Sequence, residues 1–435
     1  MIKLKNILLN TYKTVTSSIA FYPTFIAFGF LLLSVLAINL RSLGVTEFLM
    51  DKAPFLVLSD ADTSRTILST LIGGLLSFLV FSFSMVMLLL SQASSNYSPR
   101  LLPGLISERR HQIVLGTYLG TIVYCIFVLI SILPGADAYQ LPGFAILMGI
   151  IFGIVCMGMF VYFIHSISQA IQISNILLRV FRDAAQRLNM QNENETRHKN
   201  LHFENFEQGQ ELKVKSSGYF QNVNSETLSD LAKETDSRFK ILAYKGMYAL
   251  CGVPIILSEK KLDEETQDKV LSCLKFSYEE RVDENYVFGF KQITEIAVKA
   301  MSPGINDPGT AISALDYLSE LFALRMRLDD TEYIADEEDN LIVSFNVICF
   351  KDLAYNVFAP IRRYSREDVT VMSKMLQVFE YLVQQPMELD AYREVLQAEA
   401  NATLTDIEKY IENKHDRQTL LLLGENLRQT DKEEI

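Results

Sequence analysis

The stretch ILSTLIGGLLSFLVFSFSMVMLLL, Ile67 to Leu90, carries no charge over 24 residues. A helix rises about 1.5 Å per residue, so about 20 residues cross ~30 Å of hydrocarbon. Within lipid only a helix or a closed barrel satisfies its own backbone, so this run reads as a transmembrane helix. Ile19–Leu40, Ile113–Leu133 and Gly143–Ile164 are equally long and uncharged. The expected fold is therefore an α-helical membrane domain of four transmembrane helices over residues 1–183.

The first run follows Lys3, Lys5 and Lys13, as a signal peptide would. A signal h-region spans only about 7–15 residues and ends at a small-residue cleavage site. This run is longer and is followed by Arg41, so it reads as a retained helix. Lys and Arg in short loops set orientation. The N-terminus (Lys3, Lys5, Lys13), the second connection (Arg100, Arg109, Arg110) and the segment after the fourth run (Arg179, Arg182, Arg187) belong on the cytoplasmic side. The expected location is the bacterial cytoplasmic (inner) membrane, with the lipid bilayer as partner and both termini inside.

The second run has an internal pattern. Thr70, Ser77, Ser84 and Ser91 recur every seven residues, with Gly73 and Gly74 beside them. At 3.6 residues per turn this spacing holds one nearly straight face. It suits a polar path lined by several copies of the chain, hence a homo-oligomer. Close helix packing, in which small residues let backbones approach, is the commoner reason for such a stripe. His165 ends the fourth run and Arg100 lies in the second connection; both are candidate interfacial residues. Ionisable groups near a membrane are candidates for function, and His165 can also simply reach the headgroups.

Hydrophobic residues make up 49% of the 435, and the net charge is −12. That charge resides mainly after the apolar runs and excludes nonspecific nucleic-acid binding. Cys125, Cys156, Cys251, Cys273 and Cys349 form no C-x-x-C pair, so they are expected to be buried free thiols. His198 and His202, at i and i+4, lack further ligand residues and read as a solvated face. No cofactor or metal is expected.

The remainder reads as a cytosolic α+β region. Residues 184–209 are polar and form a linker or helix extension. Residues 210–260 form a small β-rich sandwich or barrel, with strands near 212–214, 218–223, 239–244 and 253–257 and a turn at Lys245-Gly246. Residues 261–435 are mainly helical, with helices near 284–301, 308–327, 350–359, 367–383 and 390–414 and a strand at 342–347.

The stretch Ser302-Pro303-Gly304-Ile305-Asn306-Asp307-Pro308-Gly309-Thr310 separates two of these helices. Asp307 is placed as an N-cap, with Pro308 at the first helical position. Ser302, Asn306, Asp307 and Thr310 are therefore a candidate functional turn. It is either a well-capped connection or a helix N-terminus offered to an anion or a carboxylate.

Three stretches together resemble a bacterial family of predicted membrane proteins, the domain of unknown function 2254. They are Phe83-Ser84 through Tyr97-Ser98-Pro99-Arg100-Leu101-Leu102; Gln112 through Val114-Leu115-Gly116 to Val123-Tyr124-Cys125; and Phe288-Gly289 through Gln292 to Ser302–Pro308 and Thr310-Ala311. Tyr162–His165 and Ser217-Gly218-Tyr219 are also similar. The chain departs from the family pattern at Ser166, at the proline-free Lys245-Gly246 turn and at Asn285. The resemblance implies an inner-membrane protein with a cytosolic tail and supplies no reaction.

Neither a P-loop, a G-x-S-x-G nor an H-E-x-x-H motif occurs, so an enzyme is not expected. Two function classes remain. One is a homo-oligomeric channel or transporter whose cytosolic regulatory domain takes a small ligand. The other is a membrane-anchored scaffold or regulator that binds a cytosolic protein.

Overall fold

Each uncharged run is a helix in the structure, a computed structural model. It describes residues 20–40, 45–52, 60–96, 109–133, 141–170, 172–198, 206–277, 285–335 and 340–429, together with Leu58, Phe203 and Val282. The long apolar helices are α1 (Phe21–Asn39), α3 (Ala61–Asn96), α4 (Arg109–Ser131) and α5 (Gly143–Ala170). All four are long and apolar enough to cross a membrane. The short α2 (Val45–Lys52) lies between the first two.

The chain divides into two units, Met1–Gln172 and Ile173–Ile435. In the first, glycines set the helix contacts. A Cβ on Gly116 would lie 2.9 Å from the Pro23 Cα, and one on Gly120 would lie 2.8 Å from the Phe30 ring, so α4 approaches α1 closely only without those side chains. On α5, Gly149 faces Leu68 and Gly153 faces Leu71, both on α3. Two glycines four residues apart on one helix make this a small-xxx-small interface. The core between them holds Leu68, Tyr124, Cys125 and Val128, with a second cluster around Leu75, Tyr118, Cys156 and Phe163.

The second unit begins with α6 (Ile173–His198). The segment expected as a linker or helix extension is thus helical as far as His198, and α6 packs against two later helices of the same unit. After it come β1 (Gln210–Lys213), β2 (Gly218–Val223), α7 (Ser225–Thr235), β3 (Phe239–Ile241), β4 (Tyr248–Ala249), β5 (Pro254–Ser258), α8 (Glu264–Ser272) and β6 (Leu274–Ser277). Then follow α9 (Tyr286–Ala300), α10 (Pro308–Arg325), β7 (Thr331–Ala335), β8 (Leu341–Asn346), α11 (Phe350–Ser365), α12 (Val369–Val383), α13 (Ala391–Tyr410) and α14 (Lys414–Gln429).

The strands form two open sheets. One has the order β1-β5-β3-β8-β7 and the other β4-β2-β6. All pairs are antiparallel except β3 with β8, where Phe239 opposes Val343 and Ile241 opposes Phe345. The expected barrel is corrected. Among the described residues β1 and β7 are edges that do not meet, and closure requires the last strand to pair with the first. Two strands of the larger sheet come from residues 331–346, so strands far apart in sequence share one sheet. Both sheets contribute to one core, with Leu212, Phe220, Phe239, Ile256, Leu274 and Val343 in contact.

Short polar side chains start the helices here. Asn224 caps α7, Asp263 caps α8, Asn285 caps α9, Asp307 caps α10 and Asp368 caps α12, each accepting a first-turn N–H. Two helix ends differ from expectation. α11 passes through Pro360 to Ser365. Proline removes one backbone bond and normally ends a helix. Here buried Phe358 and Ile361, and the pairing of Arg362 with Glu399 and Asp406, hold the turn around it. The last long helix stops at Tyr410, and α14 follows after a three-residue break.

Candidate functional site

On α3 the Thr70, Ser77, Ser84 and Ser91 side chains are all exposed in the single chain. Thr70 Oγ1 donates to the Thr66 carbonyl at 2.8 Å and Ser77 Oγ to the Gly73 carbonyl at 3.0 Å. A Cβ at Gly73 or Gly74 would meet nothing within 4 Å. The face is continuous, and among the described residues no helix of the same unit fills the space over Gly73 and Gly74. Ser82, turned to the other side, is fully buried. Packing inside one chain is thus served by Gly116, Gly120, Gly149 and Gly153, not by the repeat that the sequence makes conspicuous.

His165 is exposed on α5, with Gln169 Nε2 at 3.1 Å from its Nε2. Arg100 and His202 lie outside the described residues, as does the His198 side chain. Among the described residues no group of His, Cys, Asp and Glu could hold a metal ion. The cysteines are free: Cys125, Cys156 and Cys273 are buried, Cys349 is partly exposed, and Cys251 is exposed in the turn before β5. The expectation of uniformly buried thiols is corrected at both: Cys251 precedes the turn at Gly252 (φ +83°), and its thiol donates to the exposed Lys215 carbonyl at 3.3 Å.

The turn before α10 is fully engaged. Asp307 Oδ1 accepts the Thr310 N–H at 3.1 Å and Oδ2 accepts the Thr310 hydroxyl at 2.6 Å. The Asp307 N–H donates to the Ala300 carbonyl at 2.8 Å, tying the turn to α9. Asn306 adopts φ +49°, a left-handed conformation that Asn tolerates better than most residues. Ser302 Oγ donates to the Lys299 carbonyl. All four candidate residues are in one connection, and Asp307 spends both carboxylate oxygens on it. Just upstream, a Cβ on Gly289 would lie 2.5 Å from the Ala184 Cβ, so α6 seats on α9 only because residue 289 is glycine.

Sequence reasoning missed a cleft within the second unit. Arg187, Gln191, Lys245, Asn285, Tyr286, Glu332 and Asn346 line it, and it is small and open to solvent. Lys245 Nζ contacts Glu332 at 3.0 and 3.3 Å, with both side chains mostly buried. Asn285 Nδ2 donates to the Lys245 carbonyl at 2.8 Å while its Oδ1 caps α9. This places the Lys245-Gly246 turn against the start of that helix. Gly246 (φ +94°) takes a conformation that other residues rarely adopt. Arg187 is half-buried and makes no ion pair among the described residues.

Beside the cleft lies a buried polar cluster. Arg325 is fully buried. Its Nη1 donates to the Leu328 carbonyl at 3.0 Å, and its Nη2 donates to the Ile348 carbonyl at 3.2 Å and to Asp330. Tyr392 donates to Asp330 at 3.0 Å, and Asp330 caps Phe350. Burial pulls the Arg325 pKa down; Tyr286, Tyr392 and Asp330 outweigh it and raise it, so the guanidinium stays charged. Burial pushes the Tyr286 hydroxyl up, against the pull of Arg325, so it stays neutral. A buried charge is tolerated only when it is paired and hydrogen-bonded in this way. No signal in the sequence marks this cluster or the cleft, whose residues are spread from 187 to 392.

Residues 16–381 match the model of a family described as "Predicted membrane protein (DUF2254)". Uncharacterised proteins of Mycobacterium bovis and of Mycobacterium tuberculosis are each 23% identical over 381 residues, covering 85% of this chain and 72% of theirs. No solved structure matches the chain. The matched segment takes in all four apolar helices, the capped turn and the cleft, and the chain belongs to the DUF2254 family of predicted membrane proteins.

Proposed function

We propose that the protein is a homo-oligomeric channel or transporter of a bacterial cytoplasmic membrane. In this reading α3 of each copy lines a shared polar path, and the second unit is a cytosolic regulatory domain. The observation that carries it is the uncovered face of α3. Thr70, Ser77, Ser84 and Ser91 are exposed, and among the described residues nothing lies within 4 Å of a Cβ at Gly73 or Gly74. Among the described residues the Ser84 and Ser91 hydroxyls make no hydrogen bond, and a bare hydroxyl in hydrocarbon is costly. Water or a second copy relieves that cost. Another copy presents the same small residues, so its backbone can approach closely around a symmetry axis.

Orientation rests on the Lys and Arg distribution. A reporter active only outside the cytoplasm should work when fused after Gly135 and fail after Gly104 or at the C-terminus. The reverse pattern would overturn the cytosolic assignment.

The path itself is tested with cysteines at Ser77 and Ser84 in a chain whose five native cysteines are replaced. Both should react with a small water-soluble thiol reagent. Cysteines at Leu76 and Phe83, also exposed in the protomer, should face lipid and stay inert. A bulky reagent at Ser84 should block flux in vesicles. Inert thiols at both serines in a folded oligomer would replace this reading with a membrane-anchored scaffold that binds a cytosolic protein.

A further inference from the structure

We infer that the cleft between Arg187 and the Lys245–Glu332 pair binds one compact oxyanion group, a phosphate or a carboxylate carried by a small molecule. This goes beyond the pore reading and does not depend on it. The first ground is charge. Glu332 neutralises Lys245 at 3.0 Å, which leaves the Arg187 guanidinium as the one unmatched charge among the described residues that line the cleft. Elsewhere in this unit Arg238 pairs with Glu259, Arg325 with Asp330, and Arg362 with Glu399 and Asp406.

The second ground is donor chemistry. A guanidinium presents a planar fork that suits a carboxylate or phosphate, and its charge persists at any physiological pH. Lys245 has three donors, and one carboxylate does not exhaust them. Asn285 and Asn346 are already engaged, donating to the Lys245 and Leu242 carbonyls, so they shape the walls. The start of α9 adds a favourable field, since Asn285, Tyr286 and Val287 line the same cleft at a helix N-terminus.

The third ground is position. Tyr286 and Ile348 line the cleft and also face Arg325: the Ile348 carbonyl accepts from its Nη2, and its charge acts on the Tyr286 hydroxyl. An anion seated at Arg187 therefore touches the wall that Arg325 braces, and through Asp330 and Tyr392 that brace reaches the starts of α11 and α13.

The test uses the full chain in neutral detergent, with inorganic phosphate as the probe and sodium chloride at matched ionic strength as the control. Phosphate should raise the thermal midpoint saturably, and chloride should not. Arg187→Gln should weaken the apparent affinity at least tenfold. Arg187→Lys, which keeps the charge and loses the fork, should fall between. Arg182→Gln removes a charge from an exposed position on the same helix and should respond like the wild type. Phosphatidylglycerol added to the micelles distinguishes sources: competition with phosphate marks a lipid headgroup, and indifference marks a soluble ligand. Equal shifts with chloride, or a folded Arg187→Gln chain that responds like the wild type, would overturn the inference.

Discussion

In the N-terminal unit four glycines admit neighbouring helices, whereas around α10 in the C-terminal unit helices meet on a column of aromatic rings. Gly116 and Gly120 let α4 lie against α1, and Gly149 and Gly153 let α5 lie against α3. Around α10, Phe322 sits 4.8 Å from Phe290, 4.9 Å from Phe358 and 5.8 Å from Phe350, measured between ring centroids, and Phe358 continues to Phe379 at 4.7 Å. The solvent explains the difference. Lipid tails are as apolar as leucine, so large side chains gain little by leaving them, and close backbone approach supplies the attraction. Water drives large apolar surfaces together, and rings bury the most area per residue. Rings also join helices throughout the N-terminal unit, Phe30 to Phe152, Phe78 to Tyr118 and Phe160, and Tyr124 to Phe152, and in the C-terminal unit Gly289 admits Ala184. The contrast therefore rests on the glycine contacts, since both units use rings.

Its sharpest test is Phe322→Ala. A ring flanked by three others leaves a cavity that cannot collapse fully, and the expected loss is about 3–5 kcal/mol. Denaturant unfolding of the full chain, followed by tyrosine fluorescence, should register it. A loss under about 1 kcal/mol would mean that the aromatic column is not what holds this unit.

Gly116→Val probes the other side of the comparison. Its Cβ would meet backbone at Pro23, which cannot swing aside, so about 1–3 kcal/mol of overpacking is expected. Gly73→Val is the paired control. Nothing within its own chain is displaced, so protomer stability should hold while the oligomer of the proposed reading separates on size-exclusion chromatography. If Gly73→Val unfolds the chain as readily as Gly116→Val, the two glycine faces are not distinct.

The smallest expected effect is at Asp307. Asp307→Ala removes an N-cap and should lower the stability of the second unit by about 0.5–2 kcal/mol, whereas Asp307→Asn should be nearly silent because asparagine caps as well. Both oxygens of Asp307 are spent on Thr310, which motivates this expectation. Lost function with unchanged stability in Asp307→Asn would show instead that the charge itself acts.

Much of this architecture is local and therefore legible. The apolar runs, the cap at Asp307 with Pro308 behind it, the strand over 218–223 and the helix after Asn285 depend on neighbours within a few residues. Helix ends were less legible where distant contacts intervened. Pro360 ends a helix by its own chemistry, yet α11 continues because Arg362 reaches residues about 40 positions later. The thiol at Cys251 is exposed for a similar reason: its position in a turn overrides the burial that cysteine usually finds.

The sequence by itself determined that four helices are suited to a membrane, that one of them carries a small polar face, and that a capped turn joins two later helices. Those features follow from solvent, helical period and side-chain capping, all of which act locally. Only the tertiary structure decided which glycines pack and which stand open, because Gly73 and Gly116 look alike until their neighbours are known. It alone brought Arg187, Lys245 and Glu332 to one cleft. They sit on a helix, a turn and a strand, and no periodicity links residues 58 and 87 positions apart. Their meeting depends on the parallel pairing of β3 with β8 and on Gly289 admitting α6, which are long-range contacts that no local pattern encodes.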